Sequence, residues 1–212
     1  MQAPASVHLA HHFENLEKQT HAARLGMWLF LSTEILLFGG LFTAYALYRY
    51  LFPTAFHEAS RHIETWIGFV NTLVLITSSL TVALALHAAS KDALRRSALL
   101  FGVSILLGLV FMAFKAIEYA HHFQEGQLPG RFYTYPEVNL PGTSMFFTLY
   151  FLITGLHAIH VIIGMTVLAV VGVSAWLRKY DAVYHTPVEL AGLYWHLVDL
   201  IWIFVFPLIY LI

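Results

Sequence analysis

Five ionisable side chains, Glu34, His157, His160, His196 and Asp199, lie within segments that are otherwise apolar. Glu34 sits in the stretch Trp28-Leu-Phe-Leu-Ser-Thr-Glu34-Ile-Leu-Leu-Phe38, near the middle of the first long hydrophobic run. A charged group at the centre of a bilayer costs at least about 2.5–3.5 kcal/mol, so such a residue needs a partner, a proton or a functional role. Glu34 is therefore expected to carry a proton and to react with hydrophobic carbodiimides, which attack neutral carboxyls in apolar surroundings. A hydrogen bond to a neighbouring helix would also account for it.

The other four residues come in two pairs spaced by three, which places both members of each pair on one helix face. His157 and His160 could ligate copper, iron or zinc through neutral imidazoles if two further ligands came from other helices. Interhelical hydrogen bonding is the simpler use of the same pair. His196 and Asp199 are expected to form a charge-assisted pair, acting as a polar clasp. Glu118-x-x-His121 matches half of a carboxylate-bridged di-iron pattern, but the chain has no second copy. Lys115 and Glu118 are instead expected to be an ion pair at the outer interface. Near the N-terminus, His8, His11 and His12 could bind a metal ion or simply be solvated.

The elements that carry these residues are transmembrane helices. Of the 212 residues, 59% are hydrophobic and 11% charged, against roughly a quarter charged in a soluble domain. Five runs meet the requirement of about 20 predominantly apolar residues per helix: 24–51, 64–89, 97–120, 143–176 and 190–212. None shows the alternation of a barrel strand. The expected fold is an all-α polytopic bundle (residues 24–212) preceded by a cytoplasmic segment, 1–23. That first segment lacks the apolar core of a secretory signal. Cysteine is absent, which excludes disulfides, thiolate-held iron–sulfur clusters and any copper site that needs Cys ligands. A net charge of −1 gives no reason to expect a nucleic-acid partner. No internal repeat supports an inverted-repeat transporter.

The basic residues orient the bundle. Lys18, Arg24, Lys91, Arg95, Arg96, Arg178 and Lys179 fall on one side, and Arg49, Arg61, Lys115 and Arg131 on the other. This bias places the N-terminus in the cytoplasm and the C-terminus outside. Trp28, Trp176 and Trp195 should then lie at the inner interface and Trp66 at the outer, whereas Trp202 lies deeper and needs a packing partner. At about 1.5 Å per residue, Glu34, His157, His160, His196 and Asp199 reach a similar level in the inner half, as a polar cluster. Ser79 and Ala83 offer a small-residue face for close helix approach, and Asn71 and Thr72 could hydrogen-bond across helices. The long outer connection near 121–142 could meet a partner or cap its own helices.

Four segments resemble one family, subunit III of haem–copper terminal oxidases. They are Ser-Thr-Glu34 followed by Phe38, the Glu118-Tyr119 pair, Gly155-Leu-His157-Ala-Ile-His160-Val-Ile-Ile-Gly164, and Tyr194-Trp-His196-Leu-Val-Asp199-Leu-Ile-Trp202. The last two motifs, in order on consecutive helices, carry most of the specificity. The five-span length is similar to the short bacterial form. The resemblance implies a non-catalytic accessory subunit of an oxidase that couples O2 reduction to proton pumping, in the bacterial inner membrane. It also implies that Glu34 is the family's carbodiimide-reactive carboxylate. No cofactor is expected in this chain. Haems and copper would reside in partner subunits, namely the catalytic subunit I and subunit II. A small subunit IV and a larger respiratory supercomplex are open options, as is cytochrome c or quinol as electron donor.

Members of this family bind phospholipid, stabilise the catalytic subunit, and sustain proton uptake and resistance to inactivation during turnover. The two N-terminal helices of the long form, which make one arm of its lipid cleft, are missing here, so the lipid site does not transfer residue by residue. Lys115 stands where long forms often carry Gln. Other functions would use the same residues differently: a redox enzyme with metal or haem on His157, His160 and His196, a proton-coupled transporter, or the related subunit of a nitric oxide reductase.

Overall fold

The computed structural model describes residues 9–212; His8 lies outside them. Seven helical elements follow one another: α1 (Leu16–Leu51), α2 (Pro53–Ser60), α3 (Thr65–Ser90), α4 (Leu94–Glu125), a 3-10 turn (Gly130–Phe132), α5 (Thr143–Trp176) and α6 (Thr186–Tyr210). α1, α3, α4, α5 and α6 are long and apolar enough to cross a membrane. α1 begins eight residues before the expected span, because Asn15 caps it by accepting a hydrogen bond from the Lys18 amide at 2.8 Å. α4 likewise continues past the expected end at 120, to Glu125, and stops where Gly126 takes a left-handed φ of 78°. α2 was not expected. Phe52 breaks the chain out of α1, and Pro53 opens a short helix whose Phe56 packs edge-on against Tyr45 and Phe146.

α3, α4, α5 and α6 form the core, and α1 leans on α5 and α6 from outside. α1 buries only Leu31, Phe38 and Tyr45, one residue in every seven, so it presents a single narrow seam to the bundle. The rest of α1 is open, with Leu29, Leu36 and Leu47 all exposed. At the other extreme, α6 buries most of its side chains and α5 nearly half.

Trp195 shows how the core closes. It is fully buried and donates its indole N–H to Ser78 Oγ at 3.0 Å. Its ring fills the space left by two glycines: a Cβ on Gly164 would stand 2.8 Å from the ring, and one on Gly108 3.1 Å. Small residues let the helices approach and the indole take up the gap. Trp195 is therefore not the interfacial anchor that its position in the chain suggested. Trp28, Trp66 and Trp176 are exposed, as belt residues would be. Trp202 finds its packing between Phe111 and His157, with its N–H donated to Thr72 Oγ1 at 3.1 Å.

The close approach of α3 to its neighbours uses Ser78, Val82, Ala85 and Ala89. The Ser79–Ala83 face, expected to do this, looks outward instead. The connection after α4 folds back over the bundle: Tyr133 stacks on Phe147, Thr134 N donates to Gly126 O, and Gly130 N donates to Thr148 Oγ1. It caps its own helices.

Candidate functional site

Three polar assemblies in the bundle hold Glu34, His160, Lys115, Glu118, His196 and Asp199. The first joins α1 to α5. His160 Nδ1 lies 2.8 Å from the Leu156 carbonyl oxygen and Nε2 lies 2.9 Å from Glu34 Oε2. A carbonyl only accepts, so Nδ1 carries a proton and donates to it. The contact from Nε2 to Glu34 then contains one proton, held either by the carboxyl or by the ring. Phe38 packs edge-on against the imidazole at 5.3 Å and shields it on one side. Glu34 remains partly exposed, with 15% of its side chain accessible. The carboxylate that stood alone in the sequence thus has a named partner from the fourth span, at the rim of the bundle rather than in its interior.

The second assembly lies at the other end of the helices, where α4 finishes and α5 starts. Lys115 and Glu118 are only 2% and 1% exposed, so this ion pair is not at an aqueous interface. Lys115 Nζ donates to Glu118 Oε2 at 3.0 Å, to Tyr210 Oη at 2.8 Å and to Tyr150 Oη at 3.1 Å. Both phenols donate to Glu118 Oε1, at 2.6 and 2.7 Å. All three ammonium donors and both carboxylate oxygens are thereby used. The rings of Tyr119, Tyr150, Trp202 and Tyr210 surround Nζ within 6 Å of their centroids. Tyr119 Oη donates to Thr154 Oγ1 at 2.6 Å, since the Thr154 hydroxyl proton goes to the Tyr150 carbonyl. Burying a pair costs several kcal/mol per ion unless the geometry is good and the remaining valences are filled. Here two tyrosines fill them.

The third assembly sits between α3 and α6. His196 Nδ1 is 2.7 Å from Ser79 Oγ. The expected His196–Asp199 pair does not form; the imidazole turns across to α3 and bonds Ser79 instead. Asp199 is 4% exposed, and neither of its oxygens has a hydrogen bond of regular geometry. His157 is separate again. It is fully buried against Phe111 and Trp202, and both of its nitrogens lack hydrogen-bond partners.

The five residues expected as one cluster therefore divide into a Glu34–His160 pair, a Ser79–His196–Asp199 group and a lone His157. His157 and His160 do not converge on a common point with a third ligand; among the described residues no group of three or more His, Asp or Glu could hold a metal ion. His121 pairs with Glu64 and Glu125, not with a second metal-binding motif. Thr72 makes its cross-helix bond, whereas Asn71 is buried without one.

Sequence reasoning missed Tyr150, Tyr210 and Tyr119 as partners of the buried ion pair. Their signal was indirect: a lysine and a glutamate this far inside an apolar helix require polar neighbours, and tyrosines at the facing ends of α5 and α6 are the residues able to supply them.

A five-span helical bundle that seals one set of charges in its core and leaves another at its rim is a polytopic membrane protein built to pack beside other membrane chains. The chain belongs to the cytochrome c oxidase subunit III family, which it matches over residues 6–212. It is 33% identical to cytochrome c oxidase subunit 3 of Thermostichus vulcanus over 190 residues, covering 89% of this chain and 86% of that one. It is 32% identical to cytochrome bo(3) ubiquinol oxidase subunit 3 of Pseudomonas aeruginosa over 187 residues, 88% of this chain and 83% of the relative. A probable quinol oxidase subunit 3 of Staphylococcus saprophyticus is 27% identical over 207 residues, 96% and 97% of the two chains. The chain is accordingly an accessory subunit of a haem–copper oxidase, and works in a complex with other oxidase subunits.

Proposed function

We propose that this subunit stabilises the catalytic subunit I and sustains proton uptake during turnover, with Glu34–His160 as the contact through which it does so. The observation that supports this is the 2.9 Å contact between His160 Nε2 and Glu34 Oε2, with His160 Nδ1 held on the Leu156 carbonyl. Moving the proton of that contact from carboxyl to imidazole changes no net charge, so a proton can be relayed across the pair, one arriving as another leaves, without an uncompensated charge in the membrane. Its position at the rim makes it available to a neighbouring subunit. Glu34 is the carbodiimide-reactive, proton-linked carboxylate of this reading; His157, His196 and Asp199 belong to its polar surroundings. Lys115–Glu118 is a structural tie between α4, α5 and α6.

The side rich in Lys and Arg, with the N-terminal segment 1–23, faces the cytoplasm of a bacterial inner membrane, and the C-terminus faces the periplasm. Haems and copper reside in the partner subunits I and II. Phospholipid binds in the apolar groove between α1, α5 and α6, where Met27, Phe30, Ile163, Val167 and Tyr194 enclose about 350 Å³, room for part of an acyl chain. Both cytochrome c and quinol oxidases occur among the relatives, and either donor is compatible with this role.

The test is to delete the chain and purify the oxidase. The account expects an assembled enzyme with near-normal initial rate and a catalytic lifetime several times shorter. Normal lifetime without the chain would reject it.

A further inference from the structure

The outward face between α3 and α6 is a shallow trough of about 330 Å³ whose walls are Ile76, Leu80, Ala83, Leu200 and Ile203. Its floor is polar: Ser79, His196 and Asp199 all line it. Ser79 Oγ lies 2.7 Å from His196 Nδ1, and its single hydroxyl proton can serve the imidazole or the Asp199 carboxyl but not both. Asp199, although almost fully buried, has neither carboxylate oxygen in a regular hydrogen bond. At most one Asp199 oxygen can take the Ser79 proton, and hydrocarbon offers nothing to the other.

Depth decides what can satisfy it. Asp199 lies near the midpoint of α6, roughly 15–20 Å from either end at about 1.5 Å per residue. Headgroups of a bilayer with a hydrocarbon core about 30 Å thick do not reach that level. A side chain on a transmembrane helix does. The trough is suited to one, since Ser79 and Ala83 are small and lie one turn apart, Ala83 exposed and Ser79 only partly buried. The aliphatic walls on either side are exposed.

We infer that this trough is the docking face for a transmembrane helix of another oxidase subunit, one that presents a hydrogen-bonding side chain, such as Ser, Thr, Asn, Gln or Tyr, to Asp199 at mid-membrane. The inference rests on the oxidase-subunit role given above and adds the face and the recognition chemistry. Glu34–His160 is a separate contact on α1 and α5.

A photoreactive benzoyl-phenylalanine placed at Leu80 or at Ile203 in the native complex, with Leu106 on the exposed side of α4 as control, reads the occupant directly. Positions 80 and 203 should crosslink to a transmembrane peptide of another oxidase subunit that carries a polar residue, and position 106 should not crosslink to that peptide. In parallel, Asp199→Leu should lower recovery of that subunit several-fold in purification through a tag on this chain, and Asp199→Asn should retain most of it. Crosslinks only to lipid or to a second copy of this chain would overturn the inference, as would unchanged recovery with Asp199→Leu. If no oxidase subunit copurifies even with the unsubstituted chain, the proposed function itself fails, and this docking face with it.

Discussion

The Lys115 cluster and the Ser79–His196–Asp199 trough contain the same kinds of groups and treat them in opposite ways. In the first, an ammonium, a carboxylate and two phenols close on one another until no donor or acceptor remains open. In the second, a carboxyl of similar burial is left without a regular hydrogen bond, at a face that opens outward. The Glu34–His160 pair stands between these cases, bonded within the chain but partly exposed. On the proposals above, the closed cluster holds this bundle together and the other two groups meet neighbours. Full satisfaction inside the chain marks the former, and an open valence at the rim marks the latter.

The largest expected effect comes from breaking the closed cluster. Lys115→Met leaves Glu118 buried with no cation and should destabilise the subunit by about 3–5 kcal/mol, seen as a lower melting temperature of the purified oxidase. Adding Glu118→Gln, which removes the charge and keeps an acceptor for both phenols, should restore much of that loss; a double variant as unstable as the single one would contradict the pairing. Next, Gly164→Val forces a side chain against the Trp195 ring and should cost about 1–3 kcal/mol, with a change in tryptophan fluorescence as the indole shifts. Replacing His160 by Leu removes one hydrogen bond to a partly exposed carboxyl, and about 1 kcal/mol is expected in the same melting experiment. The smallest effect belongs to the trough. Asp199→Asn removes no regular hydrogen bond within this chain and should change its own melting by no more than about 0.5 kcal/mol. A large intrinsic loss there would erase the distinction between the two regions.

The fold was legible because a membrane imposes a length and a composition on every helix that crosses it. All five spans were visible, and 143–176 matches α5 at both ends. The ends missed by most, at Leu16 and Glu125, depend on local capping by Asn15 and Gly126, and α2 on the turn at Pro53, which hydropathy does not register. The candidate site was legible as a set of residues but not as a set of contacts. Spacing along one helix put His196 beside Asp199, and that pairing was wrong because Ser79, on another helix, is the better-placed partner. Likewise Glu34 and His160 were both conspicuous, yet nothing within either helix said that α1 would present its narrow seam to that face of α5. Helix-to-helix register is a tertiary quantity, set by features such as Trp195 filling the gap over Gly108 and Gly164. Trp195 itself was misassigned for that reason: position near a helix end suggested an interface, and packing put it in the core.

The central claim is that the rim pair, not the sealed cluster, serves the neighbouring catalytic subunit. Catalytic lifetime under continuous turnover tests it most directly, comparing oxidase that carries Glu34→Gln with oxidase that carries Thr154→Val, which removes the hydroxyl between Tyr119 Oη and the Tyr150 carbonyl beside the sealed cluster. The account predicts that both start at the parental rate and that only Glu34→Gln loses activity several times faster per turnover. Equal lifetimes for Glu34→Gln and the parent would contradict it.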